Sequence, residues 1–427
     1  MGKSTEELYS EAEKKLRQEH GRAVKQIREE LKTTKQKADS SLHLKKGSKR
    51  DLTDFPKDMQ VEESEEGRIL TINVGPQHPG SGHFRLVVQV DGDIIVGVDP
   101  DPGYVHRGEE KMCEYRNWIQ NIPHLERPMI ADSCGILYPF CLACEEIANI
   151  EVPQRAKYIR VIMSEINKCI FELYWLGIYG IFLGHSTMFM WPMGDRELLI
   201  DLAEMATGAR VTHAYFVPGG VRNDLPDSFK DRAIRQLDYF KHRLDQYKDI
   251  FYTNPLFLDR TEGVGILSAN DAINLGVTGP VLRASGVEHD IRKVEPYDVY
   301  DQLDFQVHTM KTGDTYARAY IPYLEMYESI NIIKQCLEKI PIGPVRTKLG
   351  PNPRGPAGES FKRVEAGRGE VAYYVVSDGT PKPYRVKISP PSFRQIPAMS
   401  RLLKGARLAD MPAIYWSLNY WPVEADR

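Results

Sequence analysis

The pattern of apolar and polar residues first indicates a short segment that is rich in strands. Residues Ile69 to Val74 and Phe84 to Val90 alternate between apolar and polar side chains. The turn Asp91-Gly92-Asp93 then leads into a further alternating stretch, Ile94 to Val98. Alternation with period two around a glycine turn is typical of antiparallel strands. The pattern therefore predicts a small antiparallel sheet near residue 68.

The middle of the chain changes to a helical period. Its apolar residues recur three and four positions apart, which is the spacing of a helix with one buried face. The predicted helices are Gln154 to Ile181, Asp195 to Thr207, Ser228 to Tyr252 and Tyr316 to Ile340.

The last part returns to strands. Val371 to Val376 and Tyr384 to Ile388 flank Ser377-Asp378-Gly379 and predict a hairpin, followed by a helix from Gln395 to Leu403 and an apolar, mostly buried terminus. We therefore predict an α+β fold in residues 68–427. It comprises a β subdomain (68–105), a helical bundle (106–340), and a β hairpin with a buried C-terminus (341–427).

Residues 1–67 form a separate unit. The stretch Glu6 to Lys35 is dense in Glu, Lys, Arg and Gln and has few apolar residues. Such a segment is either a flexible charged extension or a solvated helix that lies along a partner. The sequence leaves both alternatives open.

One apolar stretch is long enough to cross a bilayer. Leu173 to Gly194 contains no charged residue. However, Gly177, Gly180 and Gly184 stand three and four residues apart and permit close helix approach. We therefore predict a helix buried in the bundle, which ends near His185.

Composition excludes several classes of protein. The chain has 427 residues, 42% hydrophobic and 27% charged, which is typical of a globular protein. A net charge of −3 gives no reason to expect nucleic-acid binding. The charged N-terminus has no apolar core of a signal peptide, and six cysteines without paired spacing do not form a disulfide framework. We expect a reducing, cytosolic setting.

Cys141 and Cys144 form a CxxC pair in a predicted helix, Tyr138 to Ile147. Zinc and iron–sulfur sites need more ligands than one such pair. We interpret these cysteines as buried thiols that act as small hydrophobes. Cys134 would change this interpretation if it folded back toward them.

Several motifs stand in a characteristic order along the chain. They are GPQHPG (75–80), HRGEEK (106–111), IQNIPHLER (119–127), GARVTHAYFVPGGVRNDLP (208–226), LRASGVEHDIRKVEPYDVYDQ (282–302), EAGRGEVAYYVVSDGTPKPYR (365–385) and the terminal VEADR. In this order they resemble the hydrogenase-like large subunit of respiratory complex I and its relatives. The resemblance covers residues 68–427 and implies a fold like that of the NiFe-hydrogenase large subunit.

In the hydrogenases, two CxxC motifs of such a subunit bind nickel and iron. The resemblance places Met129, Asp132, Trp421 and Glu424 at the four cysteine positions. Soft nickel and iron centres of this kind need thiolates, which none of these residues supplies. We therefore expect this chain to hold no nickel and no metal site of its own.

The resemblance also implies partners. The family packs against a small iron–sulfur subunit with a terminal 4Fe–4S cluster, within a complex that has further hydrophilic and membrane subunits. Arg107, Arg127 and His213 map to positions near that cluster, where cations stabilise its reduced state. The cluster belongs to the neighbouring subunit, so this chain is expected to bind no cofactor itself.

The electron-acceptor cavity of the family has His78 on its rim. The quinone-binding Tyr of complex I aligns with Ile130, which offers no hydrogen-bond donor and weighs against quinone reduction. We expect a cavity lined by Pro128, Met129, Ile130 and Trp421. The expected catalytic residues are His78, Asp132 and Glu424, with His78 or Glu424 as the proton source.

These differences from complex I and from the hydrogenases resemble the membrane-bound sulfane sulfur reductase of archaea. We therefore expect an ion-translocating oxidoreductase on the cytoplasmic face of the cell membrane, which passes electrons from ferredoxin to polysulfide. The alternatives are a quinone- or methanophenazine-reducing subunit and a purely structural coupling scaffold.

Overall fold

The computed structural model of the chain describes residues 69–78, 82–350 and 355–427, and at position 130 the backbone alone. The extension predicted for residues 1–67 lies outside the described residues. So do residues 79–81, which directly follow His78.

The first sheet has the predicted strands. β1 (Ile69–Val74), β2 (Arg85–Asp91) and β3 (Ile94–Asp101) pair antiparallel in the order β1-β2-β3. Alternate residues of β2, among them Leu86, Val88 and Val90, are buried in the core. The period-two pattern thus places one face of this sheet against the rest of the protein.

The helical part connects this sheet to the second one. Its first elements are α1 (Glu109–Cys113), α2 (Ile122–Leu125), a 3₁₀ segment (Arg127–Asp132), α3 (Ser133–Ile147), α4 (Gln154–Phe182) and α5 (Ser186–Thr207). A two-stranded ribbon follows, made of β4 (Phe216–Val217) and β5 (Gly220–Val221). The remaining elements are α6 (Phe229–Tyr247), a π turn (Lys248–Tyr252), α7 (Pro255–Thr261), α8 (Ala269–Asn274), α9 (Gly279–Ala284), α10 (Ile291–Val294), a 3₁₀ turn (Tyr300–Gln302) and α11 (Thr315–Lys339).

The four long helices predicted from the sequence are confirmed, although α5 begins well before its predicted start and α6 changes to a π turn after Tyr247. α5 begins nine residues before the predicted Asp195 (195 − 186 = 9) because the imidazole of His185 caps it and accepts a hydrogen bond from the Met188 amide. α4 lies at the centre and packs against α3, α5 and α11. Its central position explains why it is buried nearly all round.

The apolar stretch from Leu173 to Gly194 is two helices joined by a tight corner. α4 ends at Phe182, and α5 returns close against it. A Cβ atom at Gly180 would lie 2.7 Å from the Cβ atom of Met188, so only glycine permits this approach. Across the described part of the chain, no helix is both long and apolar enough to cross a membrane.

The C-terminal part contains one strand more than the predicted hairpin. β6 (Ala357–Ala366), β7 (Gly369–Asp378) and β8 (Pro383–Ser389) form an antiparallel sheet in the order β6-β7-β8. The pattern missed β6 because its first half is mostly exposed and it carries charged residues on its outer face. Short helices complete the chain, namely α12 (Pro391–Leu403), a 3₁₀ turn (Leu408–Asp410), α13 (Met411–Ser417) and α14 (Pro422–Asp426).

The predicted burial of the C-terminus is confirmed, and its anchor is Asp426. Its carboxylate accepts hydrogen bonds from the backbone N–H of Gly103 at 2.9 Å and of Val105 at 3.0 Å. Arg427 contacts Glu110 of α1 at 3.2 Å. These contacts hold α14 against the end of β3 and thereby fix the position of Trp421 and Glu424.

The close contact of α4 and α5 predicts opposite effects of two alanine substitutions. Gly180→Ala introduces a clash with Met188 and should lower the unfolding free energy by about 1–3 kcal/mol. Gly194→Ala, in α5, meets no atom within 4 Å and should raise stability by about 0.5–1 kcal/mol. Denaturant unfolding of the two variants measures both effects, and equal stabilities would contradict the packing described.

Candidate functional site

The segments that carry the four former cysteine positions come together inside the protein. Met129, Asp132 and Glu424 are buried, with at most 1% of each residue exposed. Met129 has non-helical backbone angles (φ −137°, ψ 84°) that bend the 3₁₀ segment. Asp132 lies at the end of this segment and Glu424 lies in α14, and these two elements pack against each other.

Glu424 forms a buried ion pair with Arg368. The Nε and Nη2 atoms of Arg368 donate to the two carboxylate oxygens of Glu424, each at 2.7 Å. Both side chains are fully buried, and the Ser392 hydroxyl donates a further hydrogen bond to Glu424. This bidentate geometry pairs the two buried charges at a position that the sequence resemblance assigns to a metal ligand.

Close contact between Gly279 and Gly369 positions Arg368 for this ion pair. Gly369 has a positive φ of 128°, and a Cβ atom at Gly279 would lie 2.3 Å from the Cα atom of Gly369. The backbones of α9 and of the β6–β7 turn therefore touch directly. The turn points the Arg368 guanidinium inward, 4.5 Å from the ring centroid of Phe171.

Asp132 is held by the same turn. Its carboxylate accepts hydrogen bonds from the backbone N–H of Gly367 at 2.9 Å and of Gly135 at 3.1 Å. Burial raises the pKa of Asp132 to about 6, and the nearby Arg368 opposes this rise. Among the described residues, no group of three His, Cys, Asp or Glu side chains could hold a metal ion.

A cavity of about 170 Å³ lies beside this cluster. Two aromatic rings form part of its wall, Tyr174 and Trp421, with centroids 5.7 Å apart and planes inclined at 70°. The lining residues are Ala131, Asn167, Ile170, Tyr174, Arg196, Ile200, Arg210, Val211, His213 and Trp421. Most of the lining surface is apolar, and the phenol, amide and imidazole groups are placed among it.

The structure brings only some of the predicted site residues to this cavity. Trp421 and His213 line it, whereas Pro128 and Met129 are buried in the core and do not. The side chain of Ile130 is not described. Asp132 directly follows the lining residue Ala131 and turns its carboxylate toward the Gly367 turn. The catalytic and cavity roles assigned to these residues stay predictions.

His213 is a neutral imidazole in this structure. Burial lowers its pKa to about 4, so it carries no charge near pH 7. Its Nδ1 atom lies 3.1 Å from the carbonyl oxygen of Ala209. A negative charge that arrived nearby would raise this pKa, which is consistent with the predicted coupling of a proton to an electron.

Arg107 and Arg127 share a separate groove of about 330 Å³ with Arg116 and His124. Both arginines are exposed, and Arg107 donates to the buried carboxylate of Glu109 at 2.7 Å. Arg127 begins the 3₁₀ segment that contains the lining residue Ala131. Arg107 and Arg127 thus form a groove of their own, and the prediction that they and His213 lie near a cluster stays a prediction.

His78 lies on a turn near the start of α14. It is exposed, and its carbonyl oxygen accepts a hydrogen bond from the Gly82 amide at 3.0 Å. A Cβ atom at Gly82 would lie 3.6 Å from Pro422. The turn therefore lies beside the residue that follows Trp421, consistent with the predicted rim position.

Sequence reasoning missed Asn167, Tyr174 and Arg368. Asn167, Ile170 and Tyr174 are three and four positions apart on α4, so helical spacing could have grouped them on one face. Arg368 lies in the motif EAGRGEVAYY (365–374), but only the fold reveals its partner.

The six cysteines are all free and buried, and burial raises the pKa of the Cys141 and Cys144 thiols.

Comparison with known proteins places this fold and site in a family. The family of the respiratory-chain NADH dehydrogenase 49 kDa subunit matches residues 183–353 and 349–427. One subunit of the F420H2 dehydrogenase of Methanosarcina mazei is 43% identical over 86% of this chain and 100% of its own length. The corresponding subunit of the NADH-quinone oxidoreductase of Desulforamulus reducens is 40% identical over 83% of this chain and 97% of its own length.

A solved structure shows the same fold. A chain of the membrane-bound sulfane sulfur reductase, an archaeal respiratory membrane complex, superimposes with a TM-score of 0.81 at 37% identity, over 87% of this chain and 100% of that one. The predicted α+β fold and the resemblance to the complex I superfamily are confirmed. The protein belongs to the family of the complex I 49 kDa subunit and is a large subunit of a complex I-like oxidoreductase.

The Arg368–Glu424 pair predicts strong thermodynamic coupling. Arg368→Met and Glu424→Gln should each lower the unfolding free energy by about 3–5 kcal/mol, because each leaves a buried group without its partner. The double variant should lose clearly less than the sum of the two. In the matched exposed pair Arg401–Asp271, at 3.3 Å, the same exchange should change stability by less than about 1 kcal/mol. Additive losses at the buried pair in denaturant unfolding would contradict its assigned role.

The former cysteine positions predict the metal content. Because Glu424 is committed to Arg368, and Asp132 to two backbone amides, we expect the purified chain to contain no stoichiometric nickel or iron. Elemental analysis by mass spectrometry measures this, with the intact complex as the iron-containing control. One nickel ion per chain would refute the expectation.

Proposed function

We propose that this subunit reduces a planar, membrane-borne two-electron acceptor of the quinone or phenazine class in the Tyr174–Trp421 cavity. The observation that carries the proposal is the position of Tyr174. Its ring forms part of the wall of a mostly apolar cavity, packed at an angle against the ring of Trp421.

The cavity matches the chemistry of such an acceptor. Two inclined aromatic rings offer faces and edges for a planar headgroup. The Tyr174 hydroxyl can donate a hydrogen bond to a carbonyl or ring-nitrogen acceptor, whereas the Asn167 amide already donates to the Met163 carbonyl oxygen at 3.2 Å. A predominantly apolar lining with a few polar groups is the usual composition of a small-molecule site.

Tyr174 favours a quinone or phenazine acceptor over the sulfane sulfur that was expected from the sequence. The preference for sulfane sulfur depended on Ile130, which provides no donor where complex I has its quinone-binding Tyr. Tyr174 supplies a phenol from a different element, α4. Two relatives, at 43% and 40% identity, are subunits of an F420H2 dehydrogenase and of an NADH-quinone oxidoreductase. Their names support the same choice.

Electrons would reach the cavity from a neighbouring small iron–sulfur subunit. In this proposal its 4Fe–4S cluster faces Arg107 and Arg127, whose charges stabilise the reduced cluster. The 3₁₀ segment that begins at Arg127 continues to the cavity wall at Ala131. The subunit would lie at the cytoplasmic face of the membrane, together with further hydrophilic and membrane subunits.

Sulfane sulfur is the second candidate acceptor, with ferredoxin as the donor to the complex. It is favoured by the match to the sulfane sulfur reductase structure over the whole of that chain. The small cavity beside Trp421 would then hold a polarisable sulfur chain. A purely structural role is less well supported, because a scaffold needs no apolar cavity between two aromatic rings.

The acceptor class is tested by Tyr174→Phe in the assembled complex. Loss of one hydrogen bond should raise the KM for a water-soluble quinone about three- to tenfold. Tyr179→Phe is the matched control on the same helix, because the Tyr179 hydroxyl is buried and has no hydrogen-bond partner among the described residues. Reduced viologen serves as the electron donor for both variants.

Sulfide release from polysulfide is measured in parallel. Quinone reduction that is sensitive to Tyr174→Phe, with little sulfide release, supports the quinone class. Rapid sulfide release without quinone reduction would contradict it and favour the second candidate. An inactive wild-type complex with both acceptors would favour the structural role.

A further inference from the structure

Arg196 is a cavity-lining residue to which the proposed function gives no role. It lies on α5, and the central carbon of its guanidinium is 5.5 Å from the centroid of the Tyr174 ring. Its Nη1 atom donates to the thioether sulfur of Met193 at 3.7 Å, which is a weak acceptor. The buried Nε atom has no hydrogen-bond partner among the described residues. The guanidinium thus stands in the cavity wall with few polar partners.

Arginines of similar exposure elsewhere in the protein have close counter-ions. The side chain of Arg196 is 21% exposed, and the carboxylate of Glu197 lies 4.0 Å from it. Glu197 itself is 52% exposed and lies closer to Arg210. Four arginines whose side chains are 14–28% exposed have a carboxylate within 2.7–2.8 Å, namely Arg155, Arg243, Arg363 and Arg394. Arg196 therefore holds a partly buried charge without a close counter-ion, which is unfavourable unless a ligand compensates it.

The cavity supplies no negative charge of its own. Among the ten described residues that line it, two are arginines and none is an aspartate or a glutamate. The second arginine, Arg210, is neutralised by three partly exposed carboxylates, those of Glu197, Asp201 and Glu204. The charge of Arg196 is therefore available to a ligand, whereas that of Arg210 is already compensated.

The position of Arg196 suits a negative charge on a ring that lies against Tyr174. Burial raises the pKa of Tyr174, and the positive charge of Arg196 opposes this rise. The field of the guanidinium thus reaches the phenol, and an oxygen that accepts a hydrogen bond from the Tyr174 hydroxyl would lie in the same field. In a mostly apolar cavity, water screens this attraction only weakly.

We propose that Arg196 is a specificity-determining residue, through which the cavity binds a negatively charged acceptor ring more tightly than a neutral ring of the same shape. This inference rests on the proposed function, since it takes the Tyr174–Trp421 cavity as the acceptor site. It narrows the substrate class to acidic hydroxyquinones and similar rings, in which one ring oxygen is ionised at neutral pH. It adds no chemical step to the reduction.

A role in packing alone predicts a different result. If Arg196 only stacked on Tyr174, it would hold the cavity wall in place and its loss would weaken the binding of every ligand alike. A charge that selects the ligand affects anionic and neutral ligands unequally. The ratio of two dissociation constants therefore separates the two roles.

The test is the equilibrium binding of two quinones to the oxidised, assembled complex, measured by isothermal titration calorimetry. Lawsone is a hydroxynaphthoquinone that is an anion at neutral pH, and its methyl ether is neutral and nearly the same shape. The wild type should bind lawsone more tightly. In Arg196→Met, the ratio of the two dissociation constants should shift by about 10- to 100-fold toward the methyl ether, the range for loss of a hydrogen bond to a charged group.

Further variants separate the charge from the shape of the side chain. Arg196→Lys keeps the charge and should retain most of the wild-type ratio. Arg196→Gln is neutral and should lose it, and it replaces Arg196→Met if that variant does not assemble. Arg232→Met on α6 is the matched control, because Arg232 lies 3.3 Å from Asp201 of α5 and does not line the cavity. This control should keep the wild-type ratio.

The outcomes distinguish this inference from the proposed function. The same ratio in the wild type and in Arg196→Met, in a complex that binds and reduces quinones, would overturn the inference and leave the proposed function intact. A wild-type complex that neither binds nor reduces either quinone would refute the proposed function, and the inference with it.

Discussion

The site depends on one buried interaction, the bidentate ion pair of Arg368 with Glu424. Both charges are removed from water, so each needs the other to remain ionised. The pair joins the β6–β7 turn to the C-terminal helix, and the same turn binds Asp132 through the Gly367 amide. The β6–β7 turn, the 3₁₀ segment and α14 are therefore held together by charge and backbone hydrogen bonds. Trp421, three residues before Glu424, is fixed against Tyr174 as a result.

This replacement has a consequence for chemistry. A metal centre would place a reactive atom within the protein, whereas here the same region holds the Arg368–Glu424 ion pair and the hydrogen-bonded carboxylate of Asp132. The open space lies instead on the neighbouring side of the 3₁₀ segment, between α4, α5 and Trp421. An acceptor in that space would react by receiving electrons from outside the chain, and this chain's contribution would be to bind it, orient it and supply protons. Asp132, a buried acid with a raised pKa, directly follows the lining residue Ala131.

Much of the fold was predictable from the sequence, because strands and long helices leave a period in the pattern of apolar residues. The sheet at Ile69–Asp101 and the helix pair around Gly180 are examples. The strand β6 was missed because its outer face is charged and its first half exposed. At the site, the sequence alone shows that none of the residues at the four predicted metal-ligand positions supplies a thiolate. The partner of Glu424 and the presence of Tyr174 in the cavity could not be predicted, since both depend on contacts between distant segments. Arg368 reaches Glu424 only because Gly279 and Gly369 let two backbones touch.

The central claim is that the acceptor binds between Tyr174 and Trp421. A cryo-electron microscopy structure of the complete complex with a bound quinone analogue tests it most directly. The account predicts density for the headgroup against these two rings, within hydrogen-bond distance of the Tyr174 hydroxyl, with the iron–sulfur cluster of the neighbouring subunit on the Arg107 and Arg127 side. Density for the headgroup at a different place, with the Tyr174–Trp421 cavity empty or closed by a partner subunit, would contradict it.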